Sequence, residues 1–506
     1  MIIQGFNESY VKLLCDDKAQ EMFIKDNYTF VMKGWEFTPK GRAGLWNGKL
    51  SYYNMYNKNF HKGLLFDLLR FCEQNNIPVS FQNLEIPKEK ITLEQLRDFT
   101  KKLNIHAGGN PIELHDYQEK AIIESINRER ILIKSGTSSG KSLIIYVIMV
   151  YYYVHNQNQL IMVPSTSLVE QMYKDFLDYS SHCPEINIGQ ICTKLYTGQK
   201  PNPNASVLIT TWQSLQRKDK DFFQQFNVLY GDEAHSCKAT VLNDIILNKS
   251  EHIKYRIGTT GTTSNDVVDE KQKNFNEKAL VNLFSDIFVA VTTKELADRG
   301  ISAKAHIKCI QLQYSNELRY LHKKQNWLLN YQKEIKWLCQ NKERREFIAS
   351  LPQYFKGNTL ILCNFRKEFG IPVYELLKAK YPTHHVFYLD GQNSVTEREH
   401  VRQFIENNEN VILLASYGIY QQGINVKNLF NIVLAVPYKS ATRILQSIGR
   451  GLRKKQGKDT VNIVDISDNL QMPKERANIT KLQADVRYKT YEQEQFECKF
   501  VKINIK

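Results

Sequence analysis

The run Ser135-Gly136-Thr137-Ser138-Ser139-Gly140-Lys141-Ser142 has the residue types that hold a polyphosphate. Small side chains let backbone N–H groups approach phosphate oxygens, and the start of a following helix favours negative charge. Thr137, Ser138, Ser139 and Gly140 would line such a loop, Lys141 would reach the β- and γ-phosphates, and Ser142 would place its hydroxyl on Mg²⁺. The flanks fit: Ile131-Leu132-Ile133 reads as a strand and Leu143 to Val154 as a buried helix. A chance turn of small residues is the competing reading, since glycine is usual where Ser135 stands. Further on, Asp232-Glu233-Ala234-His235 follows an apolar run that reads as a buried strand. An acidic residue at a strand's C-terminal end faces the crevice where ligands bind in such sheets. Asp232 would hold Mg²⁺, and Glu233 would orient and deprotonate an attacking water. A solvated acidic turn is the alternative. Far downstream, Gln446-Ser447-Ile448-Gly449-Arg450-Gly451-Leu452-Arg453 sets two arginines three apart, on one face of a helix. Arg450 and Arg453 could stabilise charge developing on a γ-phosphate, contact nucleic acid, or simply lie on the surface.

These residues need strands and helices to position them. Apolar runs at Ile131–Ile133, Leu160–Val163, Val207–Ile209 and Val228–Tyr230 alternate with helical stretches. A second series follows at Thr359–Cys363, Val386–Leu389, Val411–Ala415, Ile432–Val436 and Val461–Val464. Each alternation predicts a parallel sheet covered on both faces. Between the series, Asn316–Ile348 reads as a charged helical region whose Trp327 and Trp337 pack rather than form a site. The first hundred residues differ. Strand-like runs (Tyr28–Met32, Lys49–Tyr53, Pro78–Phe81) surround a helix over Lys62–Gln74, and Thr92–Leu103 is amphipathic. Gly108-Gly109-Asn110-Pro111 then punctuates the chain. The expected division is a small α+β nucleic-acid-binding domain over 1–108, an ATP-binding α/β domain over 109–298, and a second α/β domain with a helical insertion and tail over 299–506.

Composition narrows the partners. A chain of 506 residues exceeds one domain. Lys+Arg is 68 against Asp+Glu 53, giving +15, which fits a polyanionic partner or an ordinary solvated basic surface. The 9 cysteines include no CxxC pair, so reduced thiols are expected rather than a disulfide framework or zinc ribbon. No signal peptide and no membrane span is read. In the N-terminal region Lys33, Arg42 and Lys49 interleave with aromatic residues and are read as phosphate contacts. Trp35 and Phe37 are read as core in preference to base-stacking.

Taken together, the motifs resemble those of superfamily 2 helicases over roughly residues 112 to 470. His115-Asp116-Tyr117-Gln118 resembles the Q motif, which implies that Gln118 reads adenine. Met162-Val163-Pro164-Ser165-Thr166 resembles motif Ia, and Thr210-Thr211-Trp212-Gln213 the next strand-contacting motif. The resemblance implies nucleic-acid contacts from Pro164, Ser165, Thr166, Thr211, Trp212 and Gln213. Gly258-Thr259-Thr260-Gly261-Thr262-Thr263 resembles motif III, implying that Thr260 and Thr262, with His235, couple ATP state to domain closure. Ala415-Ser416-Tyr417-Gly418 through Gly423-Ile424-Asn425 resembles motif V, implying strand contacts from Ser416 and Tyr417 and a nucleotide contact from Gly423. Residues 446–453 resemble motif VI, adding Gln446 to the two arginines. Departures are Ser138 for a common glycine, Gly261 for alanine and Ser447 for arginine; none removes a charge that ATP hydrolysis needs. The implied fold is two tandem RecA-like parallel-sheet domains behind the α+β module, and the implied cofactors are ATP and Mg²⁺. The signatures Gly34-Trp35-Glu36-Phe37-Thr38-Pro39 and Gly44-Leu45-Trp46-Asn47-Gly48-Lys49 resemble those of a bacteriophage branch of the family. That likeness implies a monomeric motor on branched or forked DNA, with RNA–DNA hybrids as further substrates. It implies branch migration, fork regression and R-loop unwinding in recombination, repair and replication, in the cytoplasm of an infected host. A duplex translocase that does not unwind, an RNA helicase and a motor fold retained only for binding remain the competing readings.

Overall fold

The computed structural model describes residues 1–32, 34–85, 87–199, 201–235, 243–261, 270–324, 330–422, 426–438, 441–455, 457–472 and 474–505. The chain packs as two units, Met1–Ser135 with Gly140–Val291, and Gly136–Ser139 with Thr292–Lys506.

In the first unit the N-terminal residues form a five-stranded mixed sheet in the order Tyr53–Asn54, Asn59–His61, Tyr10–Leu14, Ile2–Gly5, Ser80–Gln82. Asp17 starts the helix Lys18–Asn27 by accepting the Gln20 N–H at 2.7 Å. Helix Leu65–Gln74 buries Leu68 and Cys72 against Ile3, Val11, Leu13 and Phe60. Val281, from helix Glu270–Phe284, joins the same core. The module is therefore fused to the α/β layer behind it. Asn7 Nδ2 donates to Glu251 (2.9 Å), and Arg70 grips Asp286 at 2.8 and 3.1 Å.

That layer is a seven-stranded parallel sheet in the order Cys192–Leu195, Val207–Thr211, Gln159–Val163, Val228–Gly231, Tyr255–Thr260, Arg130–Ser135, Ile287–Val291. The apolar runs anticipated four of its strands. The boundary expected at 108 falls inside one packed core: Ile91, Leu96, Leu103 and Ile105 lie with Ile131, Ile133 and Ile144. Helix Leu93–Leu103 thus belongs to the α/β layer, because its apolar stripe is buried there.

The second unit holds another seven-stranded parallel sheet: His385–Leu389, Val411–Ser416, Thr359–Cys363, Asn431–Leu434, Thr460–Asn469, Lys304–Gln313, Glu497–Asn504. The last strand pairs with Lys304–Gln313 from His306↔Glu497 to Gln313↔Asn504, so the tail completes this sheet. Two buried bidentate pairs pin it: Arg487 to Asp465 (2.8 and 2.9 Å) and Arg344 to Asp468 (2.8 and 3.0 Å). Trp337 packs on Tyr314 with ring centroids 5.6 Å apart, as expected of a packing residue; Trp327 lies outside the described residues.

Candidate functional site

Strand Arg130–Ser135 ends at the glycine-containing loop, and helix Lys141–Val154 begins at once after Gly140. Gly140 has φ +77°, and an added Cβ would stand 2.5 Å from Gln118 Nε2. Only glycine turns here without strain while Gln118 sits this close. Gln118 is buried beside the loop, and its Oε1 accepts the His115 N–H at 2.9 Å. Ser138 also adopts a left-handed φ of +70°, and Ser139 is buried. Lys141 Nζ donates to Ser135 O at 3.3 Å, folding the ammonium back over the strand end. Ser142 Oγ lies 2.9 Å from the Tyr179 hydroxyl, a partner the sequence did not suggest.

Strands Val228–Gly231, Tyr255–Thr260 and Arg130–Ser135 are neighbours, so their C-terminal ends gather the acidic run and the threonines beside Lys141. Thr259 Oγ1 donates to Asp232 Oδ1 at 2.7 Å. Burial, and then the charge of Glu233, push the Asp232 carboxyl above its usual pKa, while Thr259 and Lys141 pull it down. Glu233 has φ +50°, a strained setting that sites of chemistry favour. Its Oε2 is 3.3 Å from His235 Nδ1, which in turn is 3.3 Å from Thr260 Oγ1. The expected coupling pair His235 and Thr260 is therefore in contact. Gly261 lies at the same end, where an added Cβ would be 3.7 Å from Lys141 Nζ. Thr262 lies outside the described residues. Among the described residues no three His, Cys, Asp or Glu side chains gather for a metal. One carboxylate and one hydroxyl beside a phosphate loop is nevertheless a donor set that suits Mg²⁺, which takes few protein ligands and completes its shell with phosphate oxygens and water.

In the second unit Arg450 lies near the end of helix Ala441–Gly451, half-buried. Arg453 follows, and its backbone bridges Ser302. The buried Lys458 Nζ donates to Gly451 O (2.6 Å), Lys427 O (2.8 Å) and Arg453 O (3.2 Å). It ties down the orphan carbonyls where the arginine helix ends.

Three family models match the chain: "Type III restriction enzyme, res subunit" over 111–265, "Helicase conserved C-terminal domain" over 343–455, and "DNA helicase UvsW, N-terminal" over 3–82. The chain is a superfamily 2 helicase. The ATP-dependent DNA helicase uvsW of Enterobacteria phage T4 is 29% identical over 485 residues, covering 95% of this chain and 93% of the relative. The DNA 3'-5' translocase XPB2 of Sulfurisphaera tokodaii is 24% identical, covering 68% and 79%. The crystal structure of T4 UvsW matches with TM-score 0.50 and 25% identity, covering 99% of each chain. The enzyme is thus an ATP-dependent helicase with two RecA-like domains.

The remaining candidates of the helicase fare unevenly. Gln213 Nε2 reaches Pro164 O at 3.5 Å, so two expected strand-contacting motifs meet. Ser165 caps helix Thr166–Tyr179, and Thr166 is exposed. Thr211 is 4% exposed and its Oγ1 caps Ser214 N, while Trp212 is half-buried on the core. Ser416 is half-buried at a strand end. Tyr417 does not fit a strand contact: it is 1% exposed, its hydroxyl donates to Val436 O at 3.3 Å, and its ring stacks on Tyr438. Its aromatic bulk completes the second core. Arg42 and Lys49 are exposed. Lys33, Gly423 and the Gln446 side chain lie outside the described atoms. Phe37 corrects the expected core placement, being 75% exposed, whereas Trp35 is half-buried.

Proposed function

We propose that this helicase works on DNA, and on branched or forked DNA above other forms. The observation that carries the reading is a UvsW-type N-terminal module fused to the layer that gathers Lys141, Asp232, Glu233 and Gln118 around the phosphate loop. Gln118 reads the base, the loop and Lys141 bind the phosphates, and Glu233 takes the proton of the attacking water. Ser142 and Asp232 would hold Mg²⁺, which would neutralise charge on the phosphates. Arg450 and Arg453 stabilise charge on the γ-phosphate, and His235 with Thr260 reports its departure. Pro164, Ser165, Thr166, Gln213 and Ser416 contact the strand backbone, so sequence preference is weak. Arg42 and Lys49 hold phosphates from the N-terminal module, whose working division from the motor follows the matched segments 3–82 and 111–265. RNA–DNA hybrids are within reach of the same backbone contacts, and a monomer suffices for this cycle.

The test is ATP-driven strand separation of a forked duplex against a blunt duplex of the same sequence. Faster separation of the fork is expected. Equal rates on both remove the branch preference. Displacement of a triplex strand without separation of either duplex favours a translocase, the activity for which the Sulfurisphaera tokodaii relative is named.

A further inference from the structure

Thr29–Val31 and Lys49–Ser51 form an antiparallel ribbon apart from the five-stranded sheet, with Val31 opposite Lys49. The loop joining them is braced from inside. Met32 N donates to Gly48 O (2.9 Å) and Leu45 N to Lys40 O (2.9 Å). The Trp46 indole N–H donates to Lys49 O (3.0 Å). Gly48 has φ +78°, and an added Cβ would stand 2.3 Å from Trp35 Cγ, so the Trp35 side chain lies against that backbone. Thr38 Oγ1 caps the short turn Pro39–Arg42 by accepting the Gly41 N–H at 3.0 Å. Both tryptophans are thus consumed in holding the loop's shape.

Two of the side chains the loop leaves outside are large and apolar. Phe37 is 75% exposed and Leu45 79%, both on the loop that Trp35 and Trp46 brace. A single exposed apolar side chain is ordinary, but two this exposed on one short braced loop mark a surface built to be covered. The charge around them names the covering. Lys40, Arg42 and Lys49 are exposed, and Glu36 is the sole acidic residue between 34 and 50. Apolar tips flanked by cations suit nucleic acid: the tips enter between base steps and unstack them, while the cations hold the adjoining phosphates.

We infer that Phe37 and Leu45 form a rigid wedge that enters the base stack where a duplex branches, with Lys40, Arg42 and Lys49 on the flanking backbone. The wedge rests on the DNA reading above and deepens it, because it assigns the recognition of the branch to two apolar side chains rather than to charge. Branch points are where it works at least cost, since stacking is already interrupted there.

The experiment uses the full chain and F37A/L45A on a forked duplex carrying 2-aminopurine beside the branch. Both side chains are exposed, so equal melting temperatures are expected. Binding of the parent raises 2-aminopurine fluorescence. The variant loses that rise and unwinds forks about tenfold more slowly or worse, while its ATP turnover on single-stranded DNA stays within about twofold. A variant that unstacks and unwinds like the parent overturns the wedge and leaves the helicase reading standing. A variant equally impaired on single strands also overturns it, because the loop is then a general DNA contact. A parent that neither unwinds the fork nor responds to DNA overturns the DNA reading and the wedge with it.

Discussion

Replacing Glu8 by glutamine leaves a cluster of buried cations without its carboxylate. Glu8 Oε2 takes Lys62 Nζ and Arg130 Nη2, each at 2.8 Å, and the side chains of Arg130, Lys62 and Glu8 are 8%, 18% and 24% exposed. Beside them Arg256 is fully buried, donating to Ser9 Oγ (2.9 Å), Ser250 O (3.0 Å) and Ile253 O (3.1 Å). Removing one partner of a buried pair costs about 3–5 kcal/mol, and the partial exposure of Glu8 places the loss near ~3 kcal/mol. At ~2–4 °C per kcal/mol for domains of this order, the melting temperature falls by roughly 6–12 °C. Burial raises the Glu8 pKa, but Arg130 and Lys62 outweigh it and hold the carboxyl below its usual value. A carboxyl lowered by folding adds stability that is full above its unfolded pKa and lost as pH falls through the folded value. The gap between parent and Glu8→Gln therefore closes in acid. Urea melts of the full chain at neutral pH and stepwise down to about pH 3, with Glu8→Gln/Arg130→Met as the double mutant, read both effects. A gap under about 1 kcal/mol at neutral pH, or one indifferent to acid, refutes the cluster's role.

Gly140→Ala forces a side chain to φ +77° and into Gln118 Nε2. A left-handed residue costs about 1–2 kcal/mol, so ATP affinity by calorimetry drops roughly 5–30-fold; an unchanged Kd contradicts the placement of Gln118. Thr259→Val removes a hydrogen bond that lowers the Asp232 pKa, so the acid limb of kcat/KM for ATP moves to higher pH. A limb that stays in place shows that Asp232 ionisation does not govern turnover. Lys458 is pushed down to about 8 by burial, and its ammonium joins two carbonyls at the end of the arginine helix, of Gly451 and Arg453, to that of Lys427. Turnover by the parent should decline as pH rises through that value and the third donor is lost. Lys458→Met should lower kcat about tenfold with little change in KM, and matching kcat values rule out its positioning of Arg450 and Arg453.

The parallel sheets were legible where strands are buried on both faces and read as unbroken apolar runs, as in Leu160–Val163 and Val411–Ala415. Lys304–Gln313 and Glu497–Asn504 were missed because they alternate polar and apolar residues beside a sheet edge, and Tyr255–Thr260 because arginine, glycine and threonines break its apolar pattern. Lys141 and Asp232 were singled out because each chemistry demands one residue type, and Gln118 through the resemblance of its motif; the fold sets Gln118 against Gly140 of the loop. Tyr179, Thr259 and Lys458 touch Ser142, Asp232 and the backbone around the arginines, contacts that only folding supplies. Tyr417 shows the converse: a residue within a strand-contacting motif can belong wholly to the core. Phe37 departs in the other direction, because Trp35 and Trp46 brace the loop without it.

The most direct measurement is ATP hydrolysis by the parent and Lys141→Ala, each without nucleic acid and with single-stranded DNA, forked DNA or RNA. Turnover stimulated by DNA, greatest on the fork and reduced at least about a hundredfold by the substitution, is the expected result. Turnover that ignores nucleic acid, responds to RNA alone, or survives loss of Lys141 contradicts the DNA motor described for this helicase.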